Sequence, residues 1–137
     1  MDYIIKLHEG INSITFGMKP DEIESILGKA DENERIDNAE DTETQILRYN
    51  GQGLTFFFEG EENLLNCIEI CNEDTILFDE YAFDLDEKEL LTLLKCNHCT
   101  QIEEEKEDWG EKCISFPKEN IDFYFEGNDL VSISIGK

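Results

Sequence analysis

Ile14-Thr-Phe-Gly-Met-Lys-Pro-Asp-Glu-Ile-Glu-Ser-Ile-Leu27 decides the reading of this chain, because it returns as Tyr81-Ala-Phe-Asp-Leu-Asp-Glu-Lys-Glu-Leu-Leu-Thr-Leu-Leu94. The two stretches lie 67 residues apart, so Phe16 meets Phe83, Met18 meets Leu85, Ile23 meets Leu90 and Leu27 meets Leu94. The same offset carries on to Ile46-Leu-Arg-Tyr against Cys113-Ile-Ser-Phe. It continues through Leu54-Thr-Phe-Phe-Phe-Glu-Gly against Ile121-Asp-Phe-Tyr-Phe-Glu-Gly. After that turn the register moves by two, and Leu65-Asn-Cys-Ile-Glu-Ile meets Leu130-Val-Ser-Ile-Ser-Ile. Several collinear matches point to an internal duplication, and a hairpin loop is where a length change costs least.

Each copy reads as a helix followed by strands. Pro20 suits a first helical turn, Asp21 and Glu22 favour its positive end, and Gly28 terminates it. Ile23, Ile26 and Leu27 make the apolar stripe, repeated by Leu90, Leu93 and Leu94. In the second copy Asp86 with Glu89 has the spacing of a capping box. Strands follow at Thr44–Asn50, Gly53–Glu59 and Leu64–Cys71, matched by Glu111–Pro117, Asn120–Glu126 and Leu130–Ile135. Asn50-Gly-Gln-Gly, Glu59-Gly-Glu-Glu-Asn and Glu126-Gly-Asn-Asp punctuate them as hairpins. A further strand precedes each trio, around Glu32–Asp37 and Cys99–Glu105. The expected fold is α+β: two tandem helix-plus-antiparallel-strand repeats forming one sheet with helices on one face. Residues 1–73 form the first repeat with an N-terminal strand, residues 74–137 the second, and both make one compact domain.

The stretch Ile14–Asp31, with Gly17-Met18, a helix and Leu27-Gly-Lys-Ala-Asp, resembles the opening motif of the beta-lactamase-inhibitor-protein-like and small outer-membrane lipoprotein superfamily. The duplicated arrangement from Ile11 to Ile135 is similar to the inhibitor's tandem architecture, whose concave sheet grips another protein. The resemblance implies a protein-binding role of the kind a bacterial immunity protein has. A lipoprotein would carry a signal and a lipidation cysteine near its start, and neither is seen.

Composition narrows the function classes. The chain has 137 residues, with 34 Asp and Glu against 11 Lys and Arg, a net charge of -23. Such a balance excludes general nucleic-acid binding and docking on anionic lipid, both of which draw on basic surfaces. Nine Phe, four Tyr and one Trp supply a core and argue against disorder. No apolar run approaches a membrane span, and Met1-Asp-Tyr-Ile-Ile-Lys6 is too short and too charged for a signal segment. Five cysteines (Cys67, Cys71, Cys96, Cys99 and Cys113) without a secretory signal read as free thiols of a reducing cytoplasm.

Catalytic patterns are absent from the sequence. His8 and His98 have no Ser/Asp or Cys/Asp company, paired carboxylates occur too often to single one out, and no Gly-rich phosphate loop appears. Cys96-Asn-His-Cys99 has the spacing that places two thiolates on one metal, with His98 or Cys113 to complete the set, but lacks a second C-x-x-C. Cys67 and Cys71 lie roughly 13 Å apart along a strand and cannot pair there. The expectation is no enzyme, no cofactor and no metal.

Two features point to a partner. The acidic run Asp31–Glu43 and the run containing Glu103, Glu104, Glu105 and Glu107 occupy equivalent places, between helix and strands, and steer a basic molecule. Alternation puts Leu54, Phe56 and Phe58, and Ile121, Phe123 and Phe125, under the helices. The opposite face then shows Phe57 and Tyr124 with Ile46, Arg48, Thr55, Cys67, Glu69, Asp122, Ser132 and Ser134. The expected partner-binding set is therefore Phe57, Tyr124, Arg48, Glu69, Asp122, Glu103, Glu104, Glu105 and Glu107. The expected activity is a cytoplasmic, acidic inhibitor that occludes a cognate toxin, a basic nuclease being the most concrete case, or another basic protein. Nucleic acid and membrane are not expected partners, and the protein is a monomer or homodimer. The alternatives are a small-molecule or metal-binding module on the sheet face or at Cys96/Cys99, and a structural adaptor like the envelope lipoproteins.

Overall fold

Proline at the first turn and glycine past the last one bound a short helix, α1, at Pro20–Leu27. A longer one, α2, spans Glu87–Cys96. In the computed structural model, which describes residues 2–37, 43–106 and 111–137, these helices lie among thirteen strands. In chain order the strands are β1 (Tyr3–Lys6), β2 (Gly10–Ile11), β3 (Ile14–Thr15), β4 (Glu32–Asp37), β5 (Glu43–Tyr49), β6 (Leu54–Glu59) and β7 (Leu64–Ile70). They continue with β8 (Thr75–Leu77), β9 (Glu80–Tyr81), β10 (Glu103–Lys106), β11 (Glu111–Phe116), β12 (Ile121–Glu126) and β13 (Asp129–Gly136).

The α2 cap follows from its residues. The Glu89 backbone N–H donates to Asp86 Oδ1 at 2.8 Å, and the Asp86 N–H donates to Glu89 Oε1 at 3.2 Å. Each helix buries a narrow stripe: Ile23 in α1, Leu90 and Leu94 in α2. Ile26, expected in that stripe, is exposed. With only eight residues, α1 covers its neighbours with little more than one row of side chains.

Eight antiparallel strands form the large sheet, in the order β10-β11-β12-β13-β7-β6-β5-β4. The four strands of the first half and the four of the second run in mirrored order outward from the β7–β13 junction, where Ile68 faces Ile135 and Ile70 faces Ile133. One face of the sheet carries the apolar core: Leu47, Tyr49, Phe56, Phe58, Ile68, Ile70, Ile114, Phe116, Ile121, Phe123, Ile133 and Ile135 are all buried there, with Gln45 buried beside them opposite Phe58. Edge-to-face ring pairs recur in both halves, Tyr49–Phe56 at 5.7 Å and Phe116–Phe123 at 5.8 Å.

A second, five-stranded sheet (β3-β2-β1-β8-β9) contributes to the same core through Tyr3, Ile5, Ile11, Ile14 and Leu77. Its central pair, β1 with β8, is parallel, and Tyr3 sits opposite Thr75. The Gly17 N–H donates to the Leu65 carbonyl and the Leu65 N–H to the Met18 carbonyl, tying the segment before α1 to the large sheet.

The architecture corrects the expected fold class. The chain is mostly β and sandwich-like, with strand in 49% and helix in 17% of the described residues, and it has two sheets rather than one. It is not an α+β tandem of helix-plus-strand repeats on a single sheet. The physical reason lies in residues 3–15 and 75–81. Strands of two to four residues are too short to show alternation, and the pair that joins the two segments, β1 with β8, links residues about 70 apart. Only an N-terminal strand was legible there.

Candidate functional site

The outward face of the large sheet is built by the residues that alternate with the core. A continuous row crosses it in register: Glu32, Arg48, Thr55, Glu69, Ser134, Asp122, Ser115 and Glu103. A second row in the first half runs Glu34, Ile46, Phe57 and Cys67, and in the second half Glu105, Cys113, Tyr124 and Ser132. Ile46 is buried even on this side, whereas Tyr124 is 37% exposed and Phe57 half-buried.

Two ladder irregularities fall at equivalent positions, between Phe57 and Phe58 in β6 and between Tyr124 and Phe125 in β12. Bulges of this kind bend a strand and re-aim the side chains beside them. Each here adjoins the large outward ring of its half. Alternation alone could not reveal them.

Between the two rings lies a hollow of about 380 Å³, walled by Phe57 and Tyr124 and floored by Cys67, Ser132 and Ser134, with Glu59 and Glu69 at its margin. Small side chains on the floor and rings on the walls make it a trough. The Cys67 Sγ and Ser134 Oγ lie 3.3 Å apart in it. Beside it, Glu105, Glu111, Cys113 and Ser132 shape a neighbouring hollow of about 360 Å³ on the other side of Tyr124.

The electrostatics are one-sided. Arg48 is the only cation that strand register brings to this face among the described residues, and Glu32 at 3.3 Å and Glu34 at 3.9 Å already pair with it. No ion pair involves Glu69 or Asp122 among the described residues. Burial pushes the Tyr124 hydroxyl up to about 12, with Cys113, Asp122 and Glu69 adding to the rise. Burial likewise raises the Cys67 thiol against a lowering hydrogen bond from Ser134, and Glu69, Asp122 and Glu59 push it the same way.

The expected partner-binding residues separate by position. Arg48, Phe57, Glu69, Asp122, Tyr124, Glu103 and Glu105 come to the outward face. Glu104 goes to the other side, opposite Ile114, where it accepts from Lys112 at 3.2 Å. Lys112 also pairs with Glu87 of α2, and that contact, followed by Glu104, holds its ammonium above the usual lysine value. Glu104 thus belongs to a clamp between α2 and the edge strand. Glu107 lies outside the described residues, as does 38–42 of the first acidic run.

Cys96 is exposed at the end of α2, while Cys99 is buried and its thiol is raised, first by burial and then by Glu119. All five cysteines are free thiols, and no group of three or more His, Cys, Asp or Glu among the described residues is placed to hold a metal. No helix of the described residues is long and apolar enough to cross a membrane.

Neither a family model nor a curated protein matches the chain. Among solved structures it is similar to an extracellular protein containing a SCP domain from Bacillus anthracis str. Ames, at 14% identity and a TM-score of 0.48, with 95% of this chain and 49% of that one covered. The chain therefore spans about half the length of that protein.

Proposed function

We propose that the protein is an acidic binding protein whose outward sheet face occludes a basic protein partner, in the manner of an immunity protein that neutralises a basic, nuclease-type toxin in the cytoplasm. The observation that carries this reading is the placing of Glu69 and Asp122, carboxylates that lack a cation among the described residues, with the exposed ring of Tyr124 on one open face. Unpaired carboxylates favour a cationic surface, and a ring at the centre of such a patch is the usual energetic anchor. Glu103 and Glu105 on one edge strand, with Glu32 and Glu34 on the other, extend the negative field to both margins of the sheet. The net charge of -23 adds long-range attraction. In a nuclease complex the carboxylates would take the places that nucleic-acid phosphates occupy.

The experiment is co-expression of the chain with the protein encoded next to it, followed by binding kinetics on the purified pair. Neutralising Glu103 and Glu105 to Gln should slow association, with the difference fading as salt shortens screening to about 3 Å at 1 M. Truncating Tyr124 or Phe57 to Ala should speed dissociation by about 30-fold, the equivalent of a ~2 kcal/mol anchor. Binding that survives both sets unchanged removes the sheet face from the interface and refutes the reading.

A further inference from the structure

The geometry points to a specific chemistry for this face: we propose that the trough beside Tyr124 receives an arginine side chain of the partner, its guanidinium paired with Glu69 and lying against the Tyr124 ring. The inference rests on the basic-partner reading above and narrows it to one side-chain type.

Shape comes first. A flat sheet face offers no room to a long side chain, but here Phe57 and Tyr124, each beside a register irregularity, line a hollow with one thiol and two hydroxyls. The resulting hollow, about 380 Å³, is several times the volume a guanidinium and its methylene stem occupy, so partner backbone can approach as well.

Charge comes second. Glu59 at the margin is engaged by the Asn66 Nδ2, which donates to it at 3.0 Å. Glu69 and Asp122 have no cation beside them among the described residues, and both act on the Tyr124 hydroxyl. An incoming cation beside Tyr124 would therefore meet two carboxylates that no internal cation neutralises. Arg48, the candidate internal competitor, stands in the same transverse row as Glu69 but pairs outward with Glu32 and Glu34 instead.

Side-chain chemistry then separates arginine from lysine. A guanidinium is planar, weakly hydrated and fork-shaped, so it can stack on a ring and donate bidentately to a carboxylate in the same pose. The Ser132 and Ser134 hydroxyls on the floor supply acceptors for its remaining N–H groups. An ammonium is a strongly hydrated point charge with no planar face to offer the ring.

The test uses hexa-arginine and hexalysine peptides, titrated calorimetrically into the intact protein at low salt. Hexa-arginine should bind about fivefold tighter than hexalysine, in keeping with a ring-and-carboxylate contact. Glu69→Gln and Tyr124→Leu should each weaken hexa-arginine by about tenfold and bring the two peptides to within about twofold of each other. The control is Glu73→Gln, an equal change of net charge at an exposed residue outside the trough. If the control weakens hexa-arginine as much as Glu69→Gln does, the peptide is held by overall charge. The arginine site then falls while the basic-partner reading stands. Equal affinity of the two peptides for the unaltered protein also overturns the arginine site. Binding of neither peptide overturns both.

Discussion

Tyr49→Phe removes a single oxygen from the core and should test how the short first helix is held to the large sheet. The Tyr49 hydroxyl donates to the Gly28 carbonyl at 2.8 Å, the first residue beyond α1, and Tyr49 is only 2% exposed. Phenylalanine keeps the edge-to-face contact with Phe56, so the change isolates the hydrogen bond. Such a bond contributes about 1 kcal/mol net, and the carbonyl of exposed Gly28 can turn to water when the hydroxyl is removed. A loss near 1 kcal/mol is expected in urea unfolding at pH 7, or roughly 4 °C in Tm for a chain of this size. The pH dependence adds a second signature. Burial, then Glu24 and Asp31, push the Tyr49 hydroxyl from 10.0 up to about 12. A group raised in the folded state stabilises fully below its unfolded value and loses that contribution as pH climbs through the folded one. The advantage of the unaltered protein over Tyr49→Phe should therefore hold to about pH 10 and shrink toward pH 12. A cost below about 0.5 kcal/mol at pH 7, with parallel alkaline curves, would refute the assignment of this bond as the tether.

Two further outcomes check the other ends of the structure. Lys112→Met should destabilise by about 1 kcal/mol, chiefly by unpairing half-buried Glu87, and a double-mutant cycle with Glu87→Gln should show coupling near 1 kcal/mol; coupling under about 0.3 kcal/mol would mean that the clamp between α2 and β10 contributes nothing. Mass-resolved alkylation of the folded protein should label exposed Cys71 and Cys96 first and buried Cys99 last, with all five reacting after unfolding without reductant, and a protected pair would contradict the free-thiol state.

Much of the large sheet is legible because its signals are local. Leu54-Thr-Phe-Phe-Phe-Glu59 and Ile121-Asp-Phe-Tyr-Phe-Glu126 alternate with period two, and the observed burial follows that alternation residue by residue. The outward positions of Phe57, Tyr124, Glu69 and Asp122 follow from the same arithmetic. Charge balance, too, requires no structure: an excess of carboxylates over cations is a property of composition. The Asp86–Glu89 box is equally local, since both partners lie within one helical turn.

Other features depend on contacts that no local pattern encodes. Glu103, Glu104 and Glu105 look alike in sequence, yet register against Ser115, Ile114 and Cys113 sends the middle one to the helix side and its neighbours outward. The bulges after Phe57 and Tyr124, which adjoin the rings that line the trough, arise from pairing irregularities with β7 and β13. The five-stranded sheet joins residues near the start of the chain to the segment just after β7, through strands too short to announce themselves. By itself the sequence determined which side chains share a face within each long strand, because the pleat obeys a fixed period. Only the tertiary structure decided how many sheets those strands and their short companions make, and which carboxylates are left without a cation, because both depend on partners far away along the chain.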